Sequence, residues 1–313
     1  MLFSRKECDR AMTQDYIRQR EHRTGWYLTI PAVLVLLLVY AYPIIWAFVS
    51  SLFTENLSTN LNREFSGLDN YVRLALDGRF WNSIWNTAVF TVVSLIFELG
   101  LGLGIALTLD QTFRGRGFVR TAAILPWALP TALIALAWRW IFNDQFGVWN
   151  DMLVNWFHII PDSISWLGDP VWAMVAVIAA DVWKTTSFVA ILLLAGLQSI
   201  PQDLYEAHAI DGASPWQSFR QITLPLIMPQ ILIAMLFRFA LAFGIFDLVL
   251  VMTGGGPGGA TEMVSLYIYD TVMRYLDFGY GAALVVVTFL ILISVVAIAG
   301  LSISKSRTAT GVE

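Results

Sequence analysis

Six stretches of this chain are long and apolar enough to cross a bilayer, whose hydrocarbon core takes about 20 residues of α-helix. They run from about Tyr27 to Phe53, Ile84 to Leu109, Thr121 to Phe142, Val171 to Leu197, Ile227 to Met252 and Ala282 to Ile303. Composition agrees. Of 313 residues, 57% are hydrophobic and 13% charged, with a mean hydropathy of +0.66, whereas a soluble domain carries roughly 25% charged residues. The expectation is an all-α membrane protein with six transmembrane helices. One membrane domain covers 26–303, between tails at 1–25 and 304–313.

The cations orient these spans. Of 19 Lys and Arg residues, 12 fall on the tails and on the second and fourth connections, 4 on the other three connections, and 3 within spans. The positive-inside rule puts the first group in the cytoplasm. Both termini are then cytoplasmic, and 54–82, 143–170 and 253–281 lie outside. The net charge of −4, with no basic run, gives no sign of a nucleic-acid partner. The single cysteine, Cys8, excludes an intramolecular disulfide. No cleavable signal peptide is evident, since residues 1–25 are charged and the apolar run after them is too long.

Several residues shape the spans. Pro43 is placed to kink the first, and Gly100, Gly102 and Gly104 permit close helix packing in the second. Pro126 and Pro130 can break the third. Outside, 146–160 and 263–280 have amphipathic patterns, with Trp149 and Trp156 suited to headgroup depth.

Ionisable groups inside a span are expensive and usually face a bundle interior or a wet cavity. The fourth span holds Asp181, Trp183, Lys184, Thr185 and Thr186. Asp181 and Lys184, three residues apart, can pair along one face. Two readings stay open: a polar patch on a translocation path, where Trp183 stacks on a sugar ring, or an ion pair satisfied between helices. In the fifth span Phe239, Phe243 and Asp247 recur at four-residue steps with Phe246 alongside, an aromatic stripe that suits a carbohydrate or plain helix packing. Arg238 and Arg139 can snorkel or bind a neighbouring acid.

Between spans four and five lies the one long polar and aromatic connection, 198–226. Pro201 suits a first helical position, and Leu204, Ala207 and Ile210 share a helical face. Gly212 can end that helix in the left-handed conformation. Ser214-Pro215-Trp216-Gln217 reads as a capping box opening a second helix, which Pro225 and Pro229 limit.

The run E-A-H-A-I-D-G…I-T-L-P from Glu206 to Pro225 resembles the cytoplasmic EAA loop of permease subunits in binding-protein-dependent ABC importers. Asn86-Thr87, Leu125-Pro126-Trp127, Trp183-Lys184, Ala195–Pro201, Phe246-Asp247, Thr253–Pro257 and Phe278–Ala283 resemble landmarks of the maltose-type carbohydrate branch. The resemblance implies a type I ABC importer permease fold in a bacterial plasma (inner) membrane. It makes Glu206, Ala207, Asp211, Gly212, Leu224 and Pro225 coupling residues to an ATPase, and Asp181, Trp183, Lys184, Thr185, Phe239, Phe243, Phe246 and Asp247 the substrate pathway. It implies as partners a second homologous permease subunit, an ATPase subunit dimer, an extracytoplasmic sugar-binding protein and the lipid bilayer. No cofactor is expected in this chain, since ATP and Mg would sit on the ATPase. His208 stands where the pattern has alanine, and Ser187 where it has proline.

No Walker A, G-x-S-x-G or H-E-x-x-H motif occurs. His22, His158 and His208 are too scattered for one metal site. A catalytic site in this chain is not expected. An alternative is a proton-coupled secondary transporter working through Asp181 and Asp247. The sugar stays open between maltose-like oligosaccharides, trehalose, glucosylglycerol and glycerol phosphate, with a phosphorylated one mildly disfavoured because the outer connections and spans contain no basic cluster.

Overall fold

A computed structural model describes residues 25–58 and 60–310. The cationic stretch 5–23, Cys8 and the last three residues lie outside the described part.

Among the described residues, five continuous helices have the length and apolarity of a membrane span. They are α1 (Gly25–Ser50), α3 (Gly78–Asp110), α7 (Pro170–Leu197), α9 (Pro215–Phe243) and α12 (Phe278–Thr310). Their outer surfaces are lined with exposed Leu, Ile, Val and Trp, as a helix facing lipid requires. The expected third span is a bent pair, α4 (Arg116–Ala128) and α5 (Thr131–Ile141), meeting at 92°. Pro130 lacks an N–H and confines Leu129, which adopts an extended conformation (φ −78°, ψ 143°) and breaks the helix there.

Helices α3 and α7 run parallel and form the centre. Gly102 of α3 makes the close approach: a Cβ there would lie 2.7 Å from Val189 Cγ1. Gly100 and Gly104, expected to do the same, face nothing within 4 Å. Helix α9 crosses both, and Gly196 lets Gln230 pack against α7 in the same way. Two apolar cores fill this centre. One gathers Phe90, Ala176, Val177, Leu248 and Met263, the other Ala106, Val189, Leu193 and Ile227.

One end of the bundle is elaborated. A hairpin of β1 (Phe53–Asn56) and β2 (Asn60–Phe65) precedes α2 (Asp69–Ala75), an addition to the expected all-helical chain. The segment Val148–Asp151 (α6) continues as a π turn through Trp156, with Trp149 and Trp156 exposed. The segment expected to be amphipathic at 263–280 turns its apolar face into the protein and leaves Met273 and Tyr275 exposed. Helix α11 (Val264–Tyr269) buries Val264 and Tyr267 against Leu74, Phe80 and Tyr280, and Leu266 in the core that holds Leu248 and Met263.

The other end carries α8 (Gln202–Ile210). Pro201 precedes α8 rather than opening it, and Gly212 has the expected positive φ of 78°. The capping box of Ser214 and Gln217 closes the start of α9. Pro225 and Pro229 do not disturb α9. A π turn at Phe219–Thr223 widens the helix just before Pro225, with Leu224 N–H bonded to Phe219 O, and absorbs the missing donor. Between Phe243 and Asp247 the fifth span breaks at Gly244, and α10 (Asp247–Met252) resumes it.

Candidate functional site

Three places in this frame gather polar chemistry: the middle of the bundle, the α8 knuckle and the opposite end.

In the middle, three helices meet at one guanidinium. Arg238 on α9 donates from Nε to Glu98 Oε2 and from Nη2 to Glu98 Oε1, both at 2.6 Å. Its Nη2 also reaches Asp181 Oδ2 on α7 at 2.9 Å. Thr185 Oγ1, one turn further along α7, lies 2.7 Å from Glu98 Oε1. All four side chains are buried. A bidentate guanidinium–carboxylate pair with a second acid on the same nitrogen is a strong charge-assisted arrangement. It offsets the cost of taking these charges out of water only because each has a partner.

This geometry corrects the expected pairing. Asp181 takes Arg238, 57 residues away, not Lys184 on its own helix, as its ion-pair partner. Of the two readings for Asp181, the interhelical ion pair is the one observed. Glu98 was missed, although a carboxylate within the apolar run Val92–Leu109 is itself the signal that marks such a site. Arg238 binds acids rather than snorkelling.

The remaining pathway candidates separate. Trp183 is half exposed and meets Trp138 edge-on at 5.8 Å. Lys184 lies within electrostatic reach of Asp181, Arg238 and Asp247. Phe239 and Phe243 stack at 5.9 Å, with Phe243 buried in the core near Tyr280. The break at Gly244 takes Asp247 off this stripe and leaves it exposed in the first turn of α10, while Phe246 turns to Tyr269 at 5.0 Å. The expected four-step aromatic stripe therefore ends at Phe243.

At the knuckle, nothing among the described residues covers the apolar face of α8. Ile210 is 87% exposed, and Leu204 and Ala207 are exposed beside it, with Glu206 and Asp211. The opposite face is fastened. His208 bridges Ser218 Oγ at 3.0 Å and Gln221 Oε1 at 3.1 Å, and the Tyr205 hydroxyl meets Thr223 Oγ1 at 2.9 Å. Thus the histidine that replaces the pattern's alanine joins α8 to the first turns of α9. Leu224 and Pro225 stand where α9 enters the bundle.

At the far end the structure assembles what the sequence scatters. Arg73, Arg79 and Arg274 line one cleft of about 470 Å³ with Tyr267, Tyr275 and Tyr280. Asp77, the N-cap of α3, accepts from the Tyr267 and Tyr280 hydroxyls and from the Arg79 and Phe80 amides. Burial alone would raise its carboxyl, but these hydrogen bonds hold it below the usual carboxylate range. Burial, then the hydrogen bond to Asp77, push the Tyr267 hydroxyl up to about 12. The premise that no basic cluster exists at this end was a property of sequence order, not of space.

Comparison with known proteins gives one consistent result. The family described as "binding-protein-dependent transport system inner membrane component" matches residues 99–308. The chain is similar to the trehalose/maltose transport system permease protein of Thermococcus litoralis, at 40% identity over 89% of this chain and 92% of that one. It is similar at 39% identity to the sulfoquinovosyl glycerol transport system permease of Agrobacterium fabrum, over 87% of each. The trehalose transport system permease of Mycobacterium tuberculosis is 37% identical, over 87% of this chain and 86% of that one. Among solved structures, a chain of a bacterial alginate ABC transporter, crystallised with its alginate-bound periplasmic protein, shares the fold. Its TM-score is 0.75 at 24% identity, covering 90% of this chain and 93% of that one.

Proposed function

The chain belongs to the binding-protein-dependent inner membrane components, the permease subunits of ABC importers, and from that premise we propose how it works. It forms half of a carbohydrate translocation path, completed by a second, similar permease subunit. One of two ATPase subunits grips α8 from the cytoplasm, and a sugar-binding protein delivers cargo at the opposite end. ATP and Mg belong to the ATPase subunits. The carbohydrate reading is supported by what the relatives are named for, trehalose/maltose, trehalose and sulfoquinovosyl glycerol.

The single observation that carries the reading is the uncovered face of α8. An amphipathic helix held firmly on one side, with Ile210, Leu204 and Ala207 bare on the other, is a surface built for another chain. Arg114, Arg116, Arg120 and Arg220 stand at that end, which supports a cytoplasmic assignment and both termini inside. His208 and Tyr205 pass movement of α8 to α9, and Arg238 passes it to α3 and α7.

Trp183, Lys184, Phe239 and Asp247 are the residues offered for cargo contact. Asp247→Ala weakens sugar uptake while the complex still assembles; unchanged affinity and rate would make Asp247 structural. The proton-coupled alternative has no support, since the relatives are ABC permeases and Asp181 is bound to Arg238. The direct test is ATP-driven uptake of a sugar panel into proteoliposomes bearing the whole transporter. Uptake that survives ATP depletion and collapses with the proton gradient would overturn the proposal.

A further inference from the structure

The cleft at the elaborated end has a layered charge arrangement. Three acids lie beneath: the side chains of Glu262 and Asp270 are each 7% exposed and that of Asp277 8%. Three guanidinium groups lie above them, with Arg73 58%, Arg274 57% and Arg79 42% exposed. The acids hold the arginines in place, so that the guanidinium groups are the exposed charges of a cleft otherwise lined by Asn56, Ser58, Thr271 and the tyrosines.

Donor use sharpens this. A guanidinium carries five N–H groups in a rigid fork. Arg79 spends Nε and Nη2 on Glu262 and Nη1 on the Tyr275 hydroxyl. Arg73 spends Nη1 on Asp277, and Arg274 turns Nη1 to Asp270 at 3.2 Å. Among the described residues, no hydrogen bond uses the other N–H groups of Arg73 or Arg274. The aromatic faces are partly taken. Arg73 lies over the Tyr280 ring at 3.8 Å, and Arg79 over Tyr267 and Tyr275 at 4.9 and 5.7 Å. Tyr275 keeps part of its ring open, but the larger unsatisfied capacity is the two unspent guanidinium edges, which a carboxylate would accept from.

We propose that this cleft receives carboxylate side chains of the extracytoplasmic binding protein, with Arg73 and Arg274 as the contacts that steer and hold it. The proposal rests on the functional reading above, which places that protein at this end. None of Trp183, Lys184, Phe239 or Asp247 lines the cleft, so docking here is separate from cargo contact.

The test titrates the reconstituted transporter with the sugar-binding protein recovered with it from native membranes, reading ATP hydrolysis. The Arg73→Gln/Arg274→Gln variant requires about fivefold or more binding protein for half-maximal stimulation, and its salt dependence flattens. The maximal rate is retained. Arg63→Gln removes the fourth cation of this end, which pairs with Glu55 at 3.6 Å outside the cleft, and leaves the titration unchanged. Should the double variant fail to assemble, Arg274→Gln alone, with Arg274→Lys as the charge-keeping control, is read the same way. An unaltered titration and salt slope overturn the proposal while the functional reading stands. A change in apparent sugar affinity at saturating binding protein also overturns it, by making the cleft a saccharide site. A wild-type transporter that no binding protein stimulates defeats the functional reading itself.

Discussion

The buried cluster of Glu98, Asp181 and Arg238 and the knuckle built on α8 are both polar interruptions of an apolar chain, and they handle polarity in opposite ways. The cluster closes its chemistry within one chain: each carboxylate meets the guanidinium, and all three side chains are buried. The knuckle closes only half. Its inner face is tied by His208 and Tyr205, while its apolar outer face waits for a partner. A polar interruption of such a chain therefore marks either a self-contained brace or an incomplete interface, and fractional exposure decides which. The brace joins three helices in the middle; under the proposed function, the knuckle is the handle by which they are moved.

The largest expected effect tests the brace. Arg238→Met leaves two carboxylates buried without a cation, and removing one partner of a buried pair costs about 3–5 kcal/mol. Thermal unfolding of the detergent-purified complex should show that loss, with substantial recovery in Arg238→Met/Glu98→Gln/Asp181→Asn. An undiminished melting temperature for Arg238→Met would dissolve the contrast between brace and handle.

Gly212→Val tests the handle. Its φ of 78° is one that β-branched side chains strongly resist. The strain should cost about 1–3 kcal/mol locally at the turn, and uptake per ATP hydrolysed should collapse. Normal uptake would mean that the turn does no mechanical work.

A smaller effect belongs to the braced far end. Asp77→Ala removes an N-cap and should cost about 0.5–2 kcal/mol. The folded-state pKa of Asp77 is lowered, so its contribution is fully present above its ordinary value of 3.8 and is lost as pH falls through the folded value. Acid unfolding curves of wild type and Asp77→Ala should therefore converge at low pH; parallel curves would contradict the carboxylate's role.

The smallest effect is expected of His208→Ala, since Tyr205–Thr223 remains as a second tie. A partial loss of uptake per ATP, deepened by Tyr205→Phe, would show the two ties acting together. Independence of the two substitutions would place force transfer elsewhere.

How much of this was legible follows from distance along the chain. The spans were, because hydropathy accumulates over each run. So were Gly212 and the capping box of Ser214 and Gln217, whose partners lie within a few residues. Arg238 and Glu98 are 140 residues apart, and Arg73 and Asp277 are 204 apart; no local pattern reports such pairs. Asp181 was matched to Lys184 for that reason, as the nearest opposite charge on the same helix. Pro130 announced a break but not its 92° angle, and the π turn before Pro225 neutralised a break that the sequence announced.

The central claim, that the bare face of α8 is held by a separate ATPase chain, is tested most directly by a photo-crosslinking residue placed at Ile210 in the intact transporter. The account predicts a covalent adduct with a nucleotide-hydrolysing subunit, its yield changing between the nucleotide-free and ATP-bound complex. An adduct formed only with lipid or with an extracytoplasmic protein would contradict it.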